Sequence, residues 1–339
     1  MLALIDEVTW QRWFGVGDAF ADPVTVWIVS GIAAALAISG LAIWTLISRG
    51  SVSQESATEL KQRWISWCWL IAAIAGPILL GAFWTALAVC LLSLLCFREY
   101  ARATGLFRER MISVLVVLGI GVLTFAVLDH FDRLYFATAA LGVLVIVIGT
   151  LWQDRPTGFI QRVALGSLGF LLFGFSLGYL GLMTSTPDYR PILLMTIAAV
   201  ELNDVFAFCC GKLIGGPKWL PNTSPGKTIS GAIGALVLTT ILVAVMGHFV
   251  FTGTPIDRWD RLVTLGVLVS GLGQLGDLTL SSIKRDLKIK DISHTIPGHG
   301  GLLDRFDSLV LVVPAVYHFL SLYLGPLGAD QPMRVLTGG

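Results

Sequence analysis

Ser281 to Asp307 reads SSIKRDLKIKDISHTIPGHGGLLDRFD, the most polar run in an otherwise apolar chain. Its 27 residues hold five Lys or Arg, four Asp and two His, and the turn Pro297-Gly298-His299-Gly300-Gly301 breaks any helix through its middle. Apolar runs of membrane length lie on both sides, at 262–283 and 306–324. Charges bracketed in this way sit where hydrocarbon gives way to water, so the fold is read outward from them as a membrane protein with its chemistry at one surface.

The rest of the composition agrees. Of 339 residues, 55% are hydrophobic and only 13% charged, and the mean hydropathy is +0.80, far outside the range of soluble domains. The expected fold is an all-α, polytopic integral membrane helix bundle of about nine or ten transmembrane helices with no soluble domain. Ten apolar runs fit helices crossing a ~30 Å hydrocarbon core: 24–48, 64–79, 80–97, 111–128, 134–151, 161–183, 191–212, 229–251, 262–283 and 306–324. The second and third come from dividing an uncharged stretch of 34 residues at Gly76-Pro77.

Charge by loop supports that division. With the N-terminus outside, 17 of the 23 Lys and Arg fall in cytosolic loops, as the positive-inside rule demands. A single helix over 64–97 would put Arg98, Arg102, Arg108 and Arg110 on the side opposite the cations of 284–305. Residues 1–190 read as a transmembrane scaffold, 191–324 as the catalytic region and 325–339 as a short tail. The first 23 residues read as a short interfacial segment; without a basic n-region, no removable signal peptide is expected. Cys68, Cys90, Cys96, Cys209 and Cys210 lie in apolar spans without metal-ligand spacing and read as packing residues. No basic run carries interleaved aromatics, so nucleic acid is not an expected partner. No internal repeat supports the inverted-repeat design of many transporters, although intramembrane acids serving an ion relay remain the reading from another class.

Polar information gathers after residue 200. Glu201, Asn203 and Asp204 lie mid-span, where carboxylates are expensive and usually face a cavity or partner, with Glu201 on a different face from the other two. Ser224-Pro225-Gly226-Lys227-Thr228 at the start of a helix offers a phosphate free N–H groups, hydroxyls, a lysine and the helix dipole. It is not a P-loop, since Pro221 stands where that motif needs Gly. Gln274, Asp277, Ser281 and Lys284 share one helical face, and Asp277 lies about 9 Å below the surface at 1.5 Å per residue. An unpaired carboxylate there costs about 2.5–3.5 kcal/mol, so a metal ion or a cation such as Lys284 should accompany it. Gly271, Gly273 and Gly276 permit close approach to the backbone. Asp304 and Asp307, three apart, stack on one face after Gly300-Gly301. Several acids able to hold Mg²⁺, many cations and Gly-rich backbone suit a polyphosphate-transfer site, and its place in a membrane implies a lipid substrate.

Ser281, Ile283-Lys284-Arg285, Lys290-Asp291, Ser293, Ile296-Pro297, His299-Gly300-Gly301-Leu302 and Asp304-Arg305-Phe306-Asp307 resemble the signature of the phosphatidate cytidylyltransferases (CDP-diacylglycerol synthases). Asn203-Asp204, Ser224 to Thr228 and Gly276-Asp277 resemble that family's upstream motifs in the same order. The resemblance covers about residues 190–324. It implies CMP transfer from CTP to phosphatidic acid with Mg²⁺, alone or with a second cation, in a bacterial inner membrane with the site on the cytosolic side. Asp277, Asp304, Lys284 and Arg285 would carry catalysis, with Asp277 and Asp304 as metal ligands and Asp307 and Asp204 in support. Asn203, Asp204, Ser224, Lys227, Thr228, Ser281, Lys290, His299, Gly300, Gly301 and Arg305 would bind the nucleotide or lipid phosphate. Implied partners are CTP, phosphatidic acid or a related lipid phosphate, membrane lipids and a second copy of the chain. Leu280 departs from the polar residue many members carry there, and the chain has an extra N-terminal helix; it could therefore serve another lipid phosphate.

Overall fold

The structure is a computed structural model that describes residues 6–186, 188–293, 295, 300–329 and 334–338. A short helix α1 (Glu7–Phe14) precedes ten helices long and apolar enough to cross a membrane. These are α2 (Pro23–Ser48), α3 (Gln54–Leu80), α4 (Ala82–Thr104), α5 (Arg110–Leu128), α6 (Asp132–Trp152), α7 (Phe159–Ser185), α8 (Tyr189–Ile214), α9 (Ile229–Val250), α10 (Trp259–Asp286) and α11 (Leu303–Leu324). The protein is an all-α membrane bundle whose one small sheet, among the described residues, is a hairpin between α8 and α9.

The break between α3 and α4 is real but lies at Gly81, not at Gly76-Pro77. Pro77 is accommodated inside α3, while Gly81 adopts φ 138°, a conformation that L side chains rarely take. A Cβ on Gly81 would also meet the Trp13 carbonyl oxygen at 2.1 Å, so α1 packs directly onto that turn. Thr85 Oγ1 donates to the Pro77 and Gly81 carbonyls at 3.1 and 2.9 Å, a second donor to carbonyls that also accept the Gly81 and Thr85 backbone N–H groups, and so ties the start of α4 to the end of α3.

Several helices outrun their apolar stretch. α3 starts at Gln54, capped by Ser53, whose Oγ accepts from Ser56 N–H at 3.3 Å. α4 continues beyond Phe97 to Thr104 and ends at Gly105 in the left-handed region (φ 79°). Charged residues end the hydrocarbon segment without ending the hydrogen-bond ladder. That extension of α4 carries Glu99, with consequences for the site.

α8, α9, α10 and α11 pack in sequence order. Small residues let the backbones touch: a Cβ on Gly231 would lie 2.5 Å from the Ala207 carbonyl, and one on Gly266 would lie 2.6 Å from Thr240 Cα. At the centre of this packing Asn203 Oδ1 accepts from Thr239 Oγ1 (3.0 Å) and Ser270 Oγ (2.6 Å), tying three helices with one amide. α11 is interrupted at Asp307-Ser308, where Gly276 of α10 fits against the break; a Cβ there would meet the Asp307 carbonyl at 2.8 Å.

Candidate active site

The segment preceding α9 is not a helix start with free amides, as its sequence suggests. β1 (Lys218–Leu220) and β2 (Ser224–Thr228) pair antiparallel, so the Ser224 to Thr228 run is strand, and α9 begins only at Ile229. Thr228 is its N-cap: the hydroxyl oxygen accepts from Gly231 N–H at 3.1 Å. The hairpin instead delivers Lys227.

Lys227 Nζ lies 2.5 Å from Asp277 Oδ2 on α10. Ser281 Oγ, one turn further along α10, donates to Asp277 Oδ1 at 3.1 Å. The sequence leads one to expect a metal ion or a cation such as Lys284 beside Asp277; the cation paired with it is Lys227, while Lys284 reaches across to α11, with Nζ 2.8 Å from Asp304 Oδ1. Two lysine–carboxylate pairs thus sit two turns apart along α10, each joining separate segments of the chain.

Asp304 is 7% exposed and heavily engaged. Besides Lys284, its Oδ2 accepts from the Ile292 and Gly301 backbone N–H groups, both at 3.1 Å. Asp307 is buried, accepts from Ser308 N–H at 2.8 Å, and lies within electrostatic reach of Asp277, Asp204 and Lys284. Asp204 is exposed and within reach of Asp277, Lys227 and Arg305. Arg305, half-buried, also reaches Glu201 electrostatically.

Other expected site residues have different surroundings. Arg285 is exposed and its Nε donates to the Thr223 carbonyl at 3.1 Å, bracing the hairpin against α10. Asn203 is fully buried in the α8–α9–α10 contact, its Nδ2 without a partner among the described residues. Lys290 is exposed beyond the end of α10, and Ser224 is half-buried in β2. His299 lies outside the described residues. Gly300 takes φ 81°, and Gly301 leaves no room for a side chain: a Cβ would meet Asp304 Oδ2, Glu99 Oε2 and Ser293 Oγ, each at 2.9 Å.

Glu99 itself was not among the expected residues. Its Oε1 accepts from Ser293 Oγ (2.6 Å), Thr295 Oγ1 (2.6 Å) and Leu302 N–H (3.2 Å), and its Oε2 from Leu303 N–H (2.8 Å). The signal that could have found it is a carboxylate within one turn of the end of an apolar run, at the surface where the signature segment also emerges.

The cytidylyltransferase family model matches residues 61–323, most of the chain. The chain belongs to the cytidylyltransferase family. All the acids and lysines just described fall inside the matched range, whereas α2 lies wholly outside it, as an additional N-terminal helix would. Among curated relatives, a phosphatidate cytidylyltransferase of Haemophilus influenzae is 31% identical over 283 residues, covering 77% of this chain and 98% of its own. One of Staphylococcus saprophyticus is 37% identical over 201 residues, covering 52% of this chain and 75% of its own. The uncharacterized protein YnbB of Escherichia coli is 30% identical over 289 residues, 83% of this chain and 94% of its own. Membership makes this a CTP-dependent nucleotidyltransferase and sets the transporter reading aside.

Proposed function

We propose that the protein transfers CMP from CTP to phosphatidic acid, giving CDP-diacylglycerol and pyrophosphate, at the cytosolic face of a bacterial inner membrane. The observation that carries this reading is the pairing Lys227–Asp277 and Lys284–Asp304, two cation–acid couples brought by the hairpin, α10 and α11 to one end of the bundle. The named relatives support the substrate pair. The excess of Lys and Arg in the loops at that end supports the cytosolic side.

The donor set suits Mg²⁺. Asp277, Asp304 and Asp307 offer carboxylate oxygens, and two of them already hold a cationic Nζ. Among the described residues no three acids, histidines or cysteines converge as a cage. That pattern fits an ion held by one or two carboxylates with substrate phosphates completing its shell, which is how Mg²⁺ is usually bound. Asp277 and Asp304 would be the carboxylates that hold it, and when bound it would neutralise charge on the triphosphate.

The chain's own part is to bind and to orient. An oxygen of the lipid phosphate attacks the α-phosphorus of CTP; the new P–O bond forms as the bond to the β-phosphate bridging oxygen breaks, and pyrophosphate leaves with that electron pair. No protein nucleophile is needed, because the attacking oxygen is already anionic. Lys227 and Lys284 are held against carboxylates and exchange these for phosphate oxygens, delivering positive charge where the leaving group gains negative charge. Arg305 adds a further cation beside Asp204. Ser281 fixes the Asp277 carboxylate through its hydroxyl.

The test is turnover by purified protein in detergent with Mg²⁺, CTP and a panel of lipid phosphates. Phosphatidic acid should give CDP-diacylglycerol by mass spectrometry. Turnover with an isoprenoid or ether-linked phosphate but none with phosphatidic acid would reassign the acceptor.

A further inference from the structure

The buried carboxylate of Glu99 plays no part in the transfer just described, yet among the described residues it accepts from four residues of the signature segment, against three for Asp304. It comes from α4, in the half of the chain that reads as scaffold, and its partners lie 194 to 204 residues further on. It is only 6% exposed. We propose that Glu99 is a positioning residue for the transfer reaction, acting from α4 as a surrogate N-cap for α11 and thereby setting where Asp304 and Lys284 stand.

The first amides of any helix lack intrahelical acceptors, and a helix start buried without partners is unfavourable. α11 begins at Leu303 without a side-chain cap of its own. Its incoming amides are divided between two carboxylates. Asp304 Oδ2 takes Gly301 N–H, and Glu99 takes Leu302 N–H on Oε1 and Leu303 N–H on Oε2. The negative charge also opposes the positive end of the helix dipole. Gly301 is pressed between these two carboxylates, so the position of one constrains the other. Ser293 and Thr295 tie the approach to α11 onto the same Oε1. Asp304 follows Leu303 directly, and its Oδ1 is the acceptor that holds Lys284. A shift of the Leu302–Leu303 backbone therefore moves the Lys284–Asp304 couple, while Lys227 and Asp277 are held separately by the hairpin and α10.

Charge and shape both matter in this arrangement. A glutamine in place of Glu99 keeps Oε1 for the hydroxyls and Leu302 but turns an NH₂ group toward the Leu303 N–H, setting donor against donor.

The inference rests on the transferase reading, and the experiment separates the two. Wild type, Glu99→Gln, Glu99→Asp and Glu99→Ala are purified in detergent and checked for monodispersity. Turnover is measured per folded molecule against CTP concentration, and backbone hydrogen exchange is followed in the peptide spanning Gly300 to Phe306. Glu99→Gln should lose tenfold or more in kcat with KM for CTP within about twofold, because the hairpin side of the site is untouched. Exchange at Leu302 and Leu303 should quicken by tenfold or more, with the other helices unchanged. Glu99→Asp, which keeps the charge on a shorter stem, should recover part of kcat. Wild-type kcat in folded Glu99→Gln, or protected Leu302 and Leu303 amides in that variant, would overturn the inference. If Glu99→Ala fails to fold, Glu99→Gln and Glu99→Asp still decide it. No turnover by wild type would instead count against the transferase reading, and the exchange result would then stand alone.

Discussion

Lys227 Nζ and Asp277 Oδ2 lie 2.5 Å apart, joining a hairpin between two helices to the last third of the next helix, α10. Both side chains are about four-fifths withdrawn from solvent, so each depends on the other for compensation. Asp277→Asn should abolish turnover, and Lys227→Met should lower kcat/KM for CTP by about 100-fold or more, since losing a phosphate-binding cation also strands a carboxylate at about 3 kcal/mol. Steady-state kinetics on monodisperse protein check this. Retention of a tenth of wild-type activity by either variant would contradict the assigned roles.

The second couple makes a separate prediction. Lys284→Met leaves Asp304 still holding the Ile292 and Gly301 amides, so the segment should stay folded while turnover falls. The expected pattern is near-normal thermal unfolding in detergent with kcat reduced about 100-fold, on the order of 3 kcal/mol in the transition state. A large drop in melting temperature with normal kcat in the folded fraction would make Lys284 structural only.

Gly276 tests how α10 meets α11. A Cβ there would lie 2.8 Å from the Asp307 carbonyl oxygen and 3.0 Å from Ser308 Cα, both backbone atoms that cannot swing away. Gly276→Val should destabilise the protein by about 1–3 kcal/mol through overpacking and should displace Asp307. Gly271, whose Cβ direction is open, serves as the control: Gly271→Ala should melt as wild type does.

Metal removal is predicted to be complete and reversible. Chelation should abolish turnover, and Mg²⁺ should restore it without refolding, because lysines already compensate Asp277 and Asp304. A chelated protein that unfolds would place the ion in a structural site; unaltered turnover after exhaustive chelation would remove metal from the account.

Much of this architecture can be read from sequence because the bilayer imposes it. The ten spans follow from apolar run length, and the polar island from Ser281 to Asp307 stands out against them. The break at Gly81 could not be placed in that way, since hydropathy is uniform through it and the decisive fact is the approach of Trp13. Glu99 carries only a weak signal for a related reason: Arg98 ends the apolar run, while the α4 hydrogen-bond ladder carries on to Thr104. The lysine pairings were also beyond reach. Lys284 shares a helical face with Asp277, but local spacing says nothing of α11 supplying Asp304 or of a hairpin supplying Lys227.

CMP transfer to a lipid phosphate is tested most directly by following the label from CTP marked at the α- or the γ-phosphate, with phosphatidic acid and Mg²⁺ present. The account predicts α-label in the organic phase as CDP-diacylglycerol and γ-label in water as pyrophosphate, with neither change in Asp277→Asn. The γ-label appearing in lipid, or no α-label reaching lipid with any lipid phosphate, would contradict it.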